Sequence, residues 1–395
     1  MTNRIVNEKL DQAVALLDEQ GLDMWITYVQ ETTLTPDPCM DLIAGLDMTW
    51  HSAFLVSRTG ERIAVVGRYD AENVRAIGGY TQIVSYDQSI RPGLLETVKK
   101  LDPQSIALNY SEGDAAASGL THGLFLDLQR TLADTPYPGR FVSAEKFVAA
   151  LRGRKSPSEV ELIKAAIDTT ERLYGEVSSS LEVGQSEQEI AARLTSSRKE
   201  LDLGTAWGEA YCPIVNAGPD SAVGHAAPGD LRTMRGQLLH MDFGVKQDGF
   251  CSDLQRMWYF LEEGETQAPD DVRRAWDACW GAIDAGAALL KPGVRGWEVD
   301  AAARQFLVDA GYPEYQHALG HHLGRVAHDG STLLGPRWDL YGQTPYGIVE
   351  AGNVFTLELG TLVPGRGYIG LEEDVLVTEN GLEWLSTPQR EIWLI

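Results

Sequence analysis

The stretch LLHMDFGVKQDGFCSDLQRMWYF, residues 238–260, decides how this chain is read. Leu239, Met241, Phe243 and Val245 fall on one side of an extended chain and His240, Asp242 and Gly244 on the other, the period of two that belongs to a strand. Asp248-Gly249 is a favoured two-residue hairpin turn, because both residues tolerate a positive φ. Pairing outward from that turn sets Asp253 opposite Gly244, with Asp242 diagonally across on the same face at roughly 7–8 Å. Two carboxylates therefore point into one space.

A second hairpin reads the same way. In VFTLELGTLVPGRGYIGLEEDVLV (354–377), Phe355, Leu357 and Leu359 alternate with Thr356 and Glu358, and a loop centred on Gly365 sets Glu358 opposite Glu372. One such acid would ordinarily be a solvated strand residue. Four of them, each interrupting an apolar strand, are a different matter: gathered in a low-dielectric pocket they repel unless protonated or neutralised. Two divalent cations would balance four negative charges.

The stretch HALGHHLGRVAHDG (317–330) holds four of the eight histidines and can supply a nitrogen to these acids. His317 and His321 have the i, i+4 spacing of a helical HExxH zinc site. However, position 318 is Ala rather than Glu, and Gly320 and Gly324 work against a helix, so that reading is set aside.

Farther out, 395 residues exceed the usual single domain, and 44% hydrophobic composition is enough to bury a core. The first part alternates helical patterns with short strand-like runs: VNEKLDQAVALLDEQG, MWITYV, a hairpin in AFLVSRTGERIAVVG turning at Thr59-Gly60, then TQIVSY and SIALNY. This reads as a smaller α/β domain over 1–153. At Ser156-Pro157-Ser158-Glu159 the N-cap, N1 and N3 positions of a new helix are all filled by suitable residues, opening an α+β domain over 154–395. That domain states its plan twice, as helix, helix and strands. LEVGQSEQEIAARL (181–194) aligns with LKPGVRGWEVDAAA (290–303), matching Leu181 with Leu290, Gly184 with Gly293, Glu189 with Glu298 and Ala192 with Ala301, which supports an internal duplication.

Composition also excludes. A net charge of −24 repels phosphate backbones and anionic bilayers, so neither nucleic acid nor a membrane surface is expected as a partner. The polar start MTNRIVNEKLDQ is unlike a signal peptide, no segment has the apolar length of a membrane span, and a cytoplasmic setting is expected. Cys39, Cys212, Cys251 and Cys279 lie far apart with no CxxC, and read as reduced, mostly buried thiols.

Taken together, these residues resemble the metallopeptidase family with the pita-bread fold, which includes methionine aminopeptidase, aminopeptidase P, prolidase and creatinase. Its ligand pattern is an Asp, a second Asp eleven residues on, a His within HxxxHxxG, a Glu, and a final Glu in an (I/L)E(E/D)D strand. Asp242, Asp253, His321, Glu358 and Glu372 match it in order. The resemblance runs from Ser156 onward, and the preceding domain looks like the creatinase-type N-terminal domain of the prolidase and aminopeptidase P branch. By position it implies that Asp253, His321, Glu358 and Glu372 hold one metal and Asp242, Asp253 and Glu372 the other. Manganese suits such oxygen-rich ligation, with cobalt, zinc or iron as alternatives. It further implies hydrolysis by a water that the two metals acidify, with Glu358 as general base. His225 would contact substrate, His328 would steady the intermediate, His317 would line the pocket, and the protein would be a homodimer.

Two positions depart from the pattern. Leu362 stands where many prolidases and aminopeptidases P have Tyr, and Gly370 where their last strand has Arg. The substrate that the resemblance implies is a peptide with proline second, whose X–Pro tertiary amide has no N–H and calls for a dedicated site. Cleavage of Xaa-Pro dipeptides is the leading expectation, with Arg337 as candidate for the free carboxylate and Arg325 and Arg366 as rivals. Aminopeptidase P activity on longer peptides is the alternative. A creatinase-like amidinohydrolase, a lyase, or a binding protein that has lost catalysis are further readings, the last weakened by the complete ligand set.

Overall fold

The computed structural model describes residues 2–224 and 226–395. The chain divides into two compact units, Met1–Arg152 and Gly153–Ile395.

The first unit is built on a six-stranded sheet of β1 (Met24–Val29), β2 (Ser52–Ser57), β3 (Arg62–Gly67), β4 (Gln82–Tyr86), β5 (Ile106–Leu108) and β6 (Phe141–Ser143), in the order β4-β3-β2-β1-β5-β6. Every residue of β1 is buried, as expected of a central strand covered on both faces. Its alternation divides the core accordingly. Trp25 and Val29 pack with Val6, Leu10 and Leu17 of the helix Thr2–Glu19, while Met24, Ile26 and Tyr28 pack with Leu94 and Val98 of the helix Arg91–Leu101.

The second unit opens with the helix Pro157–Ser178, started by the capping box expected at Ser156 and Glu159 with Pro in the first turn. The helices Glu187–Glu200, Asp270–Leu289 and Gly296–Asp309 complete the two helical pairs. Strands β7 (Gly204–Thr205), β8 (Ile214–Ala217), β9 (Leu238–Phe243), β10 (Val245–Gln247), β11 (Phe250–Cys251) and β12 (Leu254–Tyr259) follow the first pair. Strands β13 (Val354–Val363), β14 (Gly367–Thr378), β15 (Gly381–Trp384) and β16 (Trp393–Leu394) follow the second. A seven-stranded sheet runs β13-β14-β12-β9-β8, with β15 on β14 and β16 on β12.

The duplication is visible at the level of backbone torsions. Gly184 and Gly293 both have φ +93°, each two residues before an N-cap. In both copies the glutamate at the third helical position, Glu189 or Glu298, accepts from the N-cap N–H. A side chain with a Cβ would strain that left-handed position, so the glycine and the glutamate are shared for a geometric reason.

The first hairpin has the expected register, with Leu254 opposite Phe243 and Gln255 opposite Asp242, and the expected turn, with positive φ at Asp248 and Gly249. It is not one continuous ladder. β10 and β11 turn away at Gly244 and Ser252-Asp253 to join β7 in a separate three-stranded sheet. Gly244 permits the turn, since a Cβ there would collide with the Ser252 carbonyl. The second hairpin is unbroken, with ten consecutive pairs from Val354–Leu376 to Val363–Gly367 and Glu358 opposite Glu372.

All four cysteines are buried and free. Among the described residues, no helix is long and apolar enough to cross a membrane.

Candidate metal centre

The interruption of the first hairpin and the continuity of the second place their acids around one point. Asp253 leaves the ladder just before β12, Asp242 lies near the end of β9, and β14 brings Glu372 opposite Gln255. β13 supplies Glu358 beside Glu372.

The histidine stretch reaches the same point as an extended segment along β13. Leu323 N donates to Val354 O, Thr356 N to His321 O and Glu358 N to Leu319 O. Gly320 is needed for this approach, since a Cβ there would meet the Thr356 carbonyl. Extended geometry sends neighbouring side chains to opposite faces. His321 faces the acids, and His322 is buried against Phe355 with ring centroids 4.1 Å apart.

His321 Nδ1 lies 3.1 Å from the His322 carbonyl and serves as the donor there, leaving Nε2 with its lone pair free. That Nε2 stands 3.8 Å from Asp253 Oδ2, from Glu358 Oε1 and from Glu372 Oε1. These separations are too long for hydrogen bonds and suit donors arranged around a shared cation. One ligand atom each from Asp253, His321 and Glu372 lie within 4.8 Å of one another.

The electrostatics agree. Burial, then the charges of Glu372, Asp242, Asp374 and Glu358, push the Asp253 carboxyl well above the usual range, and Glu372 is raised likewise. Burial pushes Asp242 up to about 7 and, with the Asp242 charge, Glu358 up to about 8. Burial and the neighbouring His328 push His321 down to about 3, so its imidazole is neutral and able to ligate. Asp242 Oδ1 is buried without a hydrogen-bond partner. Clustered acids, an unsatisfied carboxylate oxygen and a free imidazole nitrogen fit a cationic cofactor, which would supply the missing positive charge.

Asp242, His317, His321, His328 and Glu358 line a cavity of about 410 Å3. His328 packs edge-on against His321 at 4.3 Å between centroids. The loop between them is held by the buried pair of Lys155 Nζ and Asp329 Oδ2 at 2.9 Å, and the same carboxylate accepts from Arg325 N. His317 is exposed, its ring 5.6 Å from that of Tyr315.

The structure does not bring Arg337 to this cavity: the side chain is exposed, with its guanidinium 4.3 Å from the centre of the Trp297 ring. Arg325 lies over Phe250 and Arg366 pairs with Asp271, so neither rival lines it either. His225 falls outside the described residues.

Three groups were given no role by the sequence reading. Tyr315, Tyr341 and Tyr368 line the cavity, so phenol groups border it although position 362 is an exposed leucine. Gln255 Nε2 donates to Glu372 Oε2 at 3.0 Å and to Glu358 Oε2 at 3.2 Å. His240 Nε2 stands 2.8 Å from Gln255 Oε1. The hairpin register did carry a signal for the last two, since it sets Gln255 directly opposite Asp242.

Comparison with known proteins agrees with this architecture. The model of metallopeptidase family M24 matches residues 161–379, more than half the chain. An uncharacterized peptidase of Staphylococcus saprophyticus is 29% identical over 385 residues, covering 96% of this chain and 99% of its own. The crystal structure of an X-Pro aminopeptidase from Thermotoga maritima superposes with a TM-score of 0.71 at 25% identity, covering 98% of this chain and 99% of that one. An Xaa-Pro dipeptidase from Bacillus anthracis gives 0.74 at 24% identity, covering 99% and 100%. The shared fold is α+β, a pita-bread domain preceded by a smaller N-terminal one.

Proposed function

The chain belongs to metallopeptidase family M24, and from that premise we propose that it hydrolyses the bond before proline in short peptides, with Xaa-Pro dipeptides as the leading substrates. The observation that carries this reading is the free Nε2 of His321 at 3.8 Å from three separate carboxylates. Asp253, His321, Glu358 and Glu372 would hold one divalent cation, and Asp242, Asp253 and Glu372 a second. Manganese is the preferred ion for so oxygen-rich a set. When bound, the pair supplies an acidified water and a polarised carbonyl.

The chain's own groups do the rest. Glu358 would take a proton from the attacking water and pass it to the departing proline nitrogen. His328, on the cavity wall, would donate to the carbonyl oxygen as it gains charge. His317, at the exposed end, would contact the far part of the peptide. His225 enters this scheme on its sequence position alone.

Aminopeptidase P activity on longer peptides is the second reading, and one observation favours it. Among the described residues lining the cavity there is no lysine or arginine to hold a free carboxylate beside the proline.

The test is a panel of Ala-Pro and Ala-Pro-Ala-Ala with manganese, cobalt or zinc added to metal-free protein. Faster turnover of Ala-Pro is expected; preference for the tetrapeptide would install the second reading. No cleavage of either with any ion would remove both.

A further inference from the structure

We propose that Gln255, seated in the room that Gly370 leaves open and backed by His240, is a positioning residue that sets the carboxylates of Glu358 and Glu372 for metal. This rests on the metal-binding reading above.

The carrying observation is how four oxygens are sorted. The Gln255 amide engages Oε2 of both glutamates, and Oε1 of both is the atom that lies 3.8 Å from His321 Nε2. One NH2 group thus selects which oxygen of each carboxylate faces the centre. A carboxylate can otherwise rotate its two oxygens freely, and outer partners that stop this rotation tune ligand orientation and affinity.

The amide is itself oriented. In the tautomer with Nε2–H, His240 donates to Gln255 Oε1 at 2.8 Å and keeps that oxygen toward the ring, whereas an inverted Gln255 would aim its oxygen at two carboxylates. Asn216, His240 and Gln255 are each at most 6% exposed, on β8, β9 and β12. Burying polar side chains side by side is costly. Apolar residues would serve strand stability better, so the row is explained by what its last N–H groups hold.

Gly370 is the matching vacancy. It shares a face with Glu372, two residues along β14, and sits opposite Gly360. A Cβ at 370 would come within 2.6 Å of His240 Nε2 and collide with Gln255 Oε1. On the other side of that glycine rung the Tyr368 phenol occupies the space over Gly360. The absence of a side chain at 370 is thus the condition for the Gln255–His240 contact.

The test titrates full-length, metal-free protein with manganese by calorimetry and records the visible absorption of the cobalt form. Gln255→Leu removes the donor, Gly370→Ala wedges the pair apart without deleting a polar group, and Asp253→Asn is the ligand control. Gln255→Leu is expected to weaken manganese binding about 10- to 100-fold, Gly370→Ala to weaken it in the same direction, and both to shift the cobalt bands. Wild-type affinity and an unshifted spectrum in both, with Asp253→Asn impaired, would overturn the positioning role alone. If wild type takes up no manganese, or Asp253→Asn binds as wild type does, the metal reading itself falls. Should Gln255→Leu fail to fold, Gly370→Ala decides.

Discussion

Glu372 and Glu373 are neighbours on one strand, equally buried at 2% and 0% exposure, and they face opposite sides of it. Glu373 accepts from both Nη atoms of Arg256 at 3.1 Å, from Ser386 Oγ at 2.6 Å and from Gln389 N at 2.8 Å. Glu372 meets one amide donor, Gln255, amid the charges of Glu358, Asp242 and Asp374. Burial raises both carboxyls, but only at Glu373 does a guanidinium pull back. Burial of an acid is therefore common to both faces. The missing countercharge is what distinguishes the site from the scaffold behind it.

The sharpest break between the two faces comes from deleting one of the acids proposed to hold metal. Asp253→Asn replaces an anion by an amide that cannot neutralise a cation, and turnover is expected to fall by at least on the order of a thousandfold, about 4 kcal/mol. Near-normal turnover in a peptide assay with manganese would contradict the assignment.

The second prediction sets the faces against each other in sign. Arg256→Met leaves Glu373 buried and unpaired, and should destabilise the protein by about 3–5 kcal/mol in urea unfolding. Glu372→Gln in metal-free protein should do the reverse, raising stability by about 1 kcal/mol at neutral pH, since burying Glu372 among the other acids costs either the uptake of a proton or a repelling charge and an amide costs neither. Equal losses in both variants would mean that the two faces are electrostatically alike.

What the sequence made legible follows the same division. The hairpin registers could be read because Asp248-Gly249 and Gly365 are local turn signals, and the registers alone bring Asp242 toward Asp253 and Glu358 beside Glu372. The glycines of the histidine stretch argued against a helix, but its extended path was not legible, because it depends on long-range bonds to β13. The departure of β10 and β11 from the ladder was not legible, because it depends on a long-range pairing with β7. Arg256 and Lys155 look like ordinary strand and linker cations until their buried partners are known. Gln255 and His240 read as polar residues on an alternating strand, and only three-strand geometry shows that they meet at Gly370.

The smallest effect, per unit of the variable changed, is in pH. In the metal-free protein, burial raises Asp242 to about 7 and Glu358 to about 8, from an ordinary range near 4. Between about pH 4 and pH 8 the folded chain thus holds protons that the unfolded chain has released. Unfolding free energy should then fall as pH rises, by about 1.4 kcal/mol per pH unit for each such proton, and the contribution is fully present only below about pH 4. Repulsion from the net charge of −24 also weakens the fold as pH rises, but it acts with metal present as well. Manganese requires the deprotonated carboxylates, so its affinity and its stabilising effect grow with pH. The difference between urea curves with and without saturating manganese therefore isolates the acid cluster, and it should widen steadily from pH 5 to pH 8. A difference that stays constant over that range would show that these carboxylates are already ionised in the metal-free fold, and that the two faces of the strand differ less than their partners suggest.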